Sequence, residues 1–187
     1  MPLTILDPRT ALIVVDLQKG FVGNPGVPPL DDVVERSRAL IDAFRAAGLP
    51  VVLVNVTGGA PGRTEQPPRQ RLHSEGWADL VPELGRQSGD IVVTKRTWGA
   101  FASTDLESRL RAQGVTQVVV TGVATATGIE ATARQAYEAG FNVTLATDAM
   151  ADSRPEAHEY SLKHVFPRLG ETGSTQDVLD LLAKRSA

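Results

Sequence analysis

No cysteine occurs among the 187 residues. That absence excludes disulfides, thiolate metal sites and every mechanism that passes through a thioester on this chain. Long hydrophobic runs are missing too, since the longest apolar stretches have the length of strands. The N-terminus, Met1-Pro2-Leu3-Thr4-Ile5-Leu6-Asp7, lacks the basic region and apolar core of a signal peptide, so a cytoplasmic protein without a membrane segment is expected. There is no cluster of Lys and Arg, and the formal net charge of −3 repels phosphate backbones and anionic lipid. Nucleic acid and membranes are therefore not expected as partners. Gly-x-Gly-x-x-Gly, P-loop and Gly-x-Ser-x-Gly patterns are absent as well, which argues against nucleotide binding and serine-hydrolase chemistry.

What is present describes a packed globular chain, with 42% hydrophobic and 22% charged residues. Its length suits one domain over residues 1–187. Apolar runs alternate with helix-periodic segments throughout, the pattern of βαβ units around a mainly parallel sheet. Strands are predicted over Thr10 to Asp16, Pro50 to Val56, Ile91 to Lys95, Gln117 to Thr121 and Asn142 to Asp148, with a weaker sixth near Leu169 to Thr172. The runs are continuous rather than alternating, which suits strands buried on both faces. Helices are predicted over Asp31 to Ala47, Leu106 to Gln113, Gly128 to Ala139, Pro155 to Val165 and Thr175 to Ala183. The fold class is thus α/β, a three-layer αβα Rossmann-like arrangement around six strands. The Gly- and Pro-rich segment Thr57 to Gln70 reads as a lid, a partner contact or a plain surface loop.

Ligands of open parallel sheets collect beyond the carboxyl ends of the strands. Asp16 and Lys95 each end an apolar strand there, and an acid and a base at one sheet edge can meet in space. Taken separately, each also has an ordinary reading, as a turn or capping aspartate and as a solvated strand terminus. The turn Gly122 to Gly128 is the third element. Thr127 and Glu130 have the Thr-x-x-Glu spacing of a capping box, which makes Thr127 the expected N-cap and Gly128 the first helical residue. Amides at such a terminus can hold an anion or a developing oxyanion; a plain capped helix is the simpler alternative. Phe21, Trp98 and Phe101 could wall a small pocket, although ordinary packing explains them equally well. His158 and His164 lie six apart on a predicted helix, hence on different faces, and surface or packing roles are expected.

Three motifs together resemble the isochorismatase-like (cysteine hydrolase) superfamily. They are Asp16-Leu17-Gln18 with Phe21, then Lys95-Arg96-Thr97-Trp98-Gly99-Ala100-Phe101 with Thr104-Asp105-Leu106, and Gly122-Val123-Ala124-Thr125-Ala126-Thr127-Gly128-Ile129-Glu130. The resemblance implies a six-stranded parallel sheet and an Asp-Lys-Cys triad at its carboxyl edge, with Asp16 and Lys95 as the first two members. Gly128 stands at the position of the thiol, as in a glycine-bearing subgroup of the family. A cis peptide at Val123-Ala124 is also implied, as are substrate contacts from Gln18, Phe21, Trp98, Val123, Ala124 and Thr127, and a homo-oligomer.

Glycine closes the acyl-enzyme route. Thr125 and Thr127 could replace the nucleophile, but no motif supplies either with a base. In the isochorismatases that the chain resembles, the aspartate protonates a vinyl ether and water attacks the oxocarbenium carbon. The expectation is therefore a cofactor-independent hydrolase of a small organic acid, with Asp16 as general acid and Lys95 orienting it or binding a substrate carboxylate. The alternative is a silent ligand-binding or oligomeric scaffold. Some relatives bind zinc through an Asp-x-His pair after the second strand; this chain reads Asn55-Val56-Thr57 there, and no metal is expected.

Overall fold

A computed structural model describes residues 3–65 and 74–185. The strands are β1 (Thr10–Val15), β2 (Val51–Val56), β3 (Ile91–Lys95), β4 (Gln117–Val123), β5 (Asn142–Ala151) and β6 (Glu171–Gly173). They form one sheet in the order β3-β2-β1-β4-β5-β6, and every pairing is parallel. The helices are α1 (Leu30–Ala46), α2 (Leu106–Ala112), α3 (Glu130–Glu138), α4 (Pro155–Tyr160) and α5 (Thr175–Arg185). No helix among the described residues is long and apolar enough to cross a membrane.

The continuous apolar runs are explained by burial on both faces. All six residues of β1 and all seven of β4 are buried. Alternate residues serve opposite layers. Ala11, Ile13 and Val15 pack with Leu106, Leu110, Ala133 and Ala136 of α2 and α3. Leu12 and Val14 pack with Val33, Leu40, Ile41 and Phe44 of α1 and with Val178 and Leu182 of α5. Each fully buried Leu, Ile, Val or Phe contributes on the order of 1.5–3 kcal/mol, so this double coverage is the main stabilising term. At the edge of the sheet β3 alternates buried and partly open positions instead.

Two helical boundaries differ from expectation. The segment predicted to begin a helix at Gly128 starts earlier, with Ala124 capping a wide π turn over Thr125–Ile129 that then tightens into α3. Likewise α4 passes into a second π turn over Ser161–Val165. Periodicity alone cannot show either change of pitch, because both pitches keep the same apolar face inward. The segment 57–64 has no regular structure, and the rest of the predicted loop, 66–70, lies outside the described residues.

The strand order places the site. Sequence runs from β1 outward through β2 to β3, then returns so that β4 lies on the other side of β1. The crevice of such a sheet opens where the order reverses, between the carboxyl ends of β1 and β4. There β4 meets β1 closely, with Gly122 at φ 118° and its missing Cβ only 2.0 Å from the Val15 carbonyl oxygen. No other residue type fits that approach.

Candidate active site

Asp16 leaves β1 in the left-handed region, with φ 57°. It is the one non-glycine residue among those described with positive φ, a conformation costing roughly 1–2 kcal/mol for an ordinary L residue. Its amide donates to the Val54 carbonyl at 2.9 Å, and its own carbonyl accepts from Gln18 N at 2.9 Å. This tight exit turns the carboxyl group toward the crevice instead of the helical layers. The capping and turn readings of Asp16 are thus replaced by a buried acid.

Lys95 arrives from the end of β3, on the far side of β2, and spans that strand. Its Nζ donates to Asp16 Oδ2 at 2.7 Å, to the Trp98 carbonyl at 2.8 Å and to the Thr97 carbonyl at 3.3 Å. Three acceptors account for the three protons of an ammonium. Nothing is left over for a substrate carboxylate, so of the two roles expected for Lys95 the geometry favours orientation of the acid. The two carbonyls are aimed by anchorage on α3: Ala100 N donates to Thr132 Oγ1 at 3.2 Å and Phe101 N to Gln135 Oε1 at 3.0 Å.

Asp16 and Lys95 are 4% and 1% exposed. Asp16 Oδ2 is held by Lys95, whereas Oδ1 is buried with no hydrogen-bond partner among the described residues. Burial raises the Asp16 pKa from 3.8 to about 6, because desolvation outweighs the attraction of Lys95 and its hydrogen bond. With Oδ2 occupied as an acceptor, the proton of the neutral acid belongs on Oδ1.

Gly128 completes the group. A Cβ built on it would lie 3.1 Å from Asp16 Oδ2, 3.1 Å from the Val123 carbonyl oxygen and 3.4 Å from Val15 Cγ1. The position at which the resemblance places a thiol therefore faces the carboxyl group directly. The Val123–Ala124 peptide is cis, as expected. The structure thus brings together Asp16, Lys95, Gly128, Val123 and Ala124.

The remaining expected contacts are placed differently. Thr127 is no N-cap: no side-chain capping bond is made, and its amide donates to the Ala124 carbonyl inside the π turn. The reciprocal partner is also engaged elsewhere, Glu130 accepting from Arg134 Nη2 at 2.9 Å and from Ser161 Oγ at 2.7 Å. Gly128 is correspondingly the fourth residue of the turn, not the first of a helix. Gln18 braces the scaffold, with Nε2 donating to the Val56 and Trp77 carbonyls at 3.2 and 3.3 Å and Oε1 accepting from Val56 N at 2.8 Å. Trp98 meets Lys95 through its carbonyl, and the residue as a whole is 68% exposed. Phe101 belongs to the core against Phe141, and half-buried Phe21 packs edge-on to Trp77 at 5.3 Å. The aromatic pocket is therefore not formed by these three rings. Two surface pockets, of about 210 and 360 Å³, adjoin Tyr137 and Val34 and touch none of the site residues.

His158 was expected to have a surface or packing role, and its tie to the glycine turn was missed. It is buried, and its Nδ1 lies 2.8 Å from Thr125 Oγ1, so the threonine does have a basic neighbour. Thr125 is itself wholly buried. Asn55, near the end of β2, donates to the Ala78 carbonyl at 2.8 Å and accepts from Thr94 Oγ1 at 2.7 Å. An amide so engaged does not fit a zinc ligand.

Comparison with known proteins agrees with this geometry. The family model described as the isochorismatase domain matches residues 10–177. The uncharacterized isochorismatase family protein YwoC of Bacillus subtilis is 40% identical over 182 residues, covering 92% of this chain and 93% of that protein. A ureidoacrylate amidohydrolase of Stutzerimonas stutzeri is 31% identical, covering 83% and 75%. The solved structure of an isochorismatase family protein from Burkholderia thailandensis superposes with a TM-score of 0.92 at 40% identity, over 96% of this chain and 98% of that one. With glycine facing the buried acid and no cysteine anywhere in its sequence, the chain belongs to the isochorismatase family of hydrolases as a thiol-free member.

Proposed function

We propose that this protein hydrolyses a small organic acid of vinyl-ether type by general-acid catalysis from Asp16. The observation that carries the reading is a buried carboxyl group titrating at about 6, held by Lys95 on Oδ2 and unpartnered on Oδ1. Such a group stays protonated to a higher pH than an ordinary carboxyl group and has one oxygen not committed to a protein partner. The proton on Oδ1 passes to the methylene carbon of the vinyl ether, giving an oxocarbenium ion. Water adds to the oxocarbenium carbon, the one that bears the ether oxygen, and returns a proton to the Asp16 carboxylate. The hemiketal then breaks down to an alcohol and a carbonyl product. Lys95 holds the carboxyl group in place and offsets its charge once the proton has left.

A second reading, a silent ligand-binding scaffold, is supported by the near-complete closure of Asp16. A screen across vinyl ethers, amides and lactams on wild type and Asp16→Asn separates the two. Turnover of a vinyl ether that disappears in Asp16→Asn, and that declines as pH rises through about 6, is the expected result. Unchanged turnover in Asp16→Asn removes the acid mechanism, and inert wild type across all three classes favours the scaffold.

A further inference from the structure

Behind the glycine turn lies a set of contacts that the reaction does not use. Thr125 Oγ1 and His158 Nδ1 are 2.8 Å apart, both residues buried. Next along the turn, Ala126 N donates to Asp152 Oδ2 at 2.9 Å, while Asp152 Oδ1 accepts from Arg154 N at 3.1 Å. Ser161 Oγ donates to Glu130 Oε2 at 2.7 Å. Thr125, Ala126 and Glu130 all belong to the segment that carries Gly128, and Asp152, His158 and Ser161 run from the end of β5 across α4 to the π turn after it. Three polar links in a row thus tie one segment to the other.

The tied segment forms one wall of the acid site. Gly128 presents its backbone to Asp16 Oδ2, and the Val123 carbonyl stands beside it. Whatever fixes this turn also fixes how dry the carboxyl group is, and dryness is what separates Asp16 from an ordinary surface acid. Burial lowers the His158 pKa against the opposing pull of Asp152 and Glu159, which favours the neutral imidazole. A neutral ring can hold the threonine hydroxyl without placing a buried charge behind the turn.

We propose that His158 is a positioning residue: through Thr125, and with Asp152 on Ala126, it holds the 123–129 turn against Asp16 and keeps water from the acid. The proposal takes from the preceding section the reading of Asp16 as the acid, but its primary test needs no substrate. The carboxyl carbon of Asp16 is followed by carbon-13 NMR across pH 3 to 8 in wild type, Thr125→Val and His158→Leu, with the thermal midpoint recorded for each. Loss of either partner lets water reach the site, so the Asp16 midpoint falls by about one unit toward the ordinary carboxylate value. Removing both partners produces no further fall, because they act through one bond. His158→Asn, which keeps a polar atom near the place of Nδ1, and Thr125→Ser, which keeps the hydroxyl, restore the wild-type titration. Should His158→Leu fail to fold, Thr125→Val, nearly isosteric with threonine, reads the same bond. An Asp16 titration unchanged in Thr125→Val, whatever its thermal midpoint, overturns the proposal and leaves the bond as packing. Full turnover in Asp16→Asn instead removes the acid mechanism while leaving the titration result standing, so the two failures are told apart.

Discussion

Strand β3 carries a charged pair at each end, and the two pairs are built differently. At its amino end Asp90 is held by Arg45 from the last turn of α1, with Nη2 at 2.6 Å from Oδ2 and Nε at 3.2 Å from Oδ1. Asp90 Oδ2 also accepts from Gln87 N at 2.7 Å, so both carboxylate oxygens are occupied. At its carboxyl end Lys95 holds Asp16 by one oxygen, and the other has no partner among the described residues. The forked pair completes its carboxylate, as a structural clasp should. The single-point pair leaves its carboxylate incomplete and its pKa raised to about 6, the state that the proposed general acid needs. Their positions follow the same division, since ligands gather at the carboxyl edge of a parallel sheet and not at the amino edge.

The largest effect expected from breaking this contrast is on turnover. Asp16→Asn keeps an acceptor for Lys95 but has no proton to give, and kcat should fall roughly 10²- to 10⁴-fold on the vinyl ether identified by the screen. Arg45→Met should behave in the opposite way. It leaves Asp90 buried without its cation and costs roughly 3 kcal/mol in denaturant unfolding, the low end for a buried pair because the Arg45 side chain remains 14% exposed. Turnover per folded molecule should stay within about twofold of wild type, since Arg45 lies at the far edge of the sheet. Loss of activity in Arg45→Met without loss of stability would erase the distinction between the two ends.

A third measurement sharpens it through pH. Between 3.8 and about 6 the folded chain keeps a proton on Asp16 that the unfolded chain has released. The folded form therefore binds more protons in that window, and stability falls as pH rises through it. Measured against Asp16→Asn, wild type should lose about 3 kcal/mol between pH 3.5 and pH 7. A difference that is flat with pH, or that grows as pH rises, means that Lys95 outweighs burial after all.

Much of this arrangement was legible in the sequence, for identifiable reasons. ALIVV and VVVTGV read as strands because burial on both faces leaves no room for polar alternation. Asp16 and Lys95 stood out as charges ending such runs, and the switch-point rule placed them at one edge before any distance was known. The misplaced residues share a different property: their roles depend on partners remote in sequence. Thr127 and Glu130 have the spacing of a capping box, yet Ser161 takes the glutamate and the turn opens to a π pitch, neither of which local spacing encodes. Gln18 was a ligand contact by resemblance alone, but the segment 77–81 closes over it and its amide bonds the backbone. The partner of His158 went unforeseen for the same reason, since Thr125 lies 33 residues upstream.

The smallest expected effect concerns the glycine itself. An alanine methyl at 128 would stand 3.1 Å from Asp16 Oδ2 and from the Val123 carbonyl, closer than nearly all ordinary Cβ contacts, so a neighbour must yield by a few tenths of an ångström. The carbonyl is backbone, and the carboxyl group is pinned by a lysine that is itself pinned by Thr97 and Trp98. Relief at either point should cost about 1–2 kcal/mol and reduce kcat roughly tenfold, chiefly by turning Oδ1 away from the substrate. Gly128→Cys meets the same crowding while placing a thiol beside the acid. Turnover of amides in that variant alone would mean that the remaining scaffold can still support a thiol mechanism, and that glycine decides which chemistry it runs. Should Gly128→Ala match wild type in stability and rate, the carboxyl group has slack that its single-point hold on Lys95 does not remove. The difference between the two ends of β3 would then lie in hydration alone, and not in how tightly each carboxylate is held.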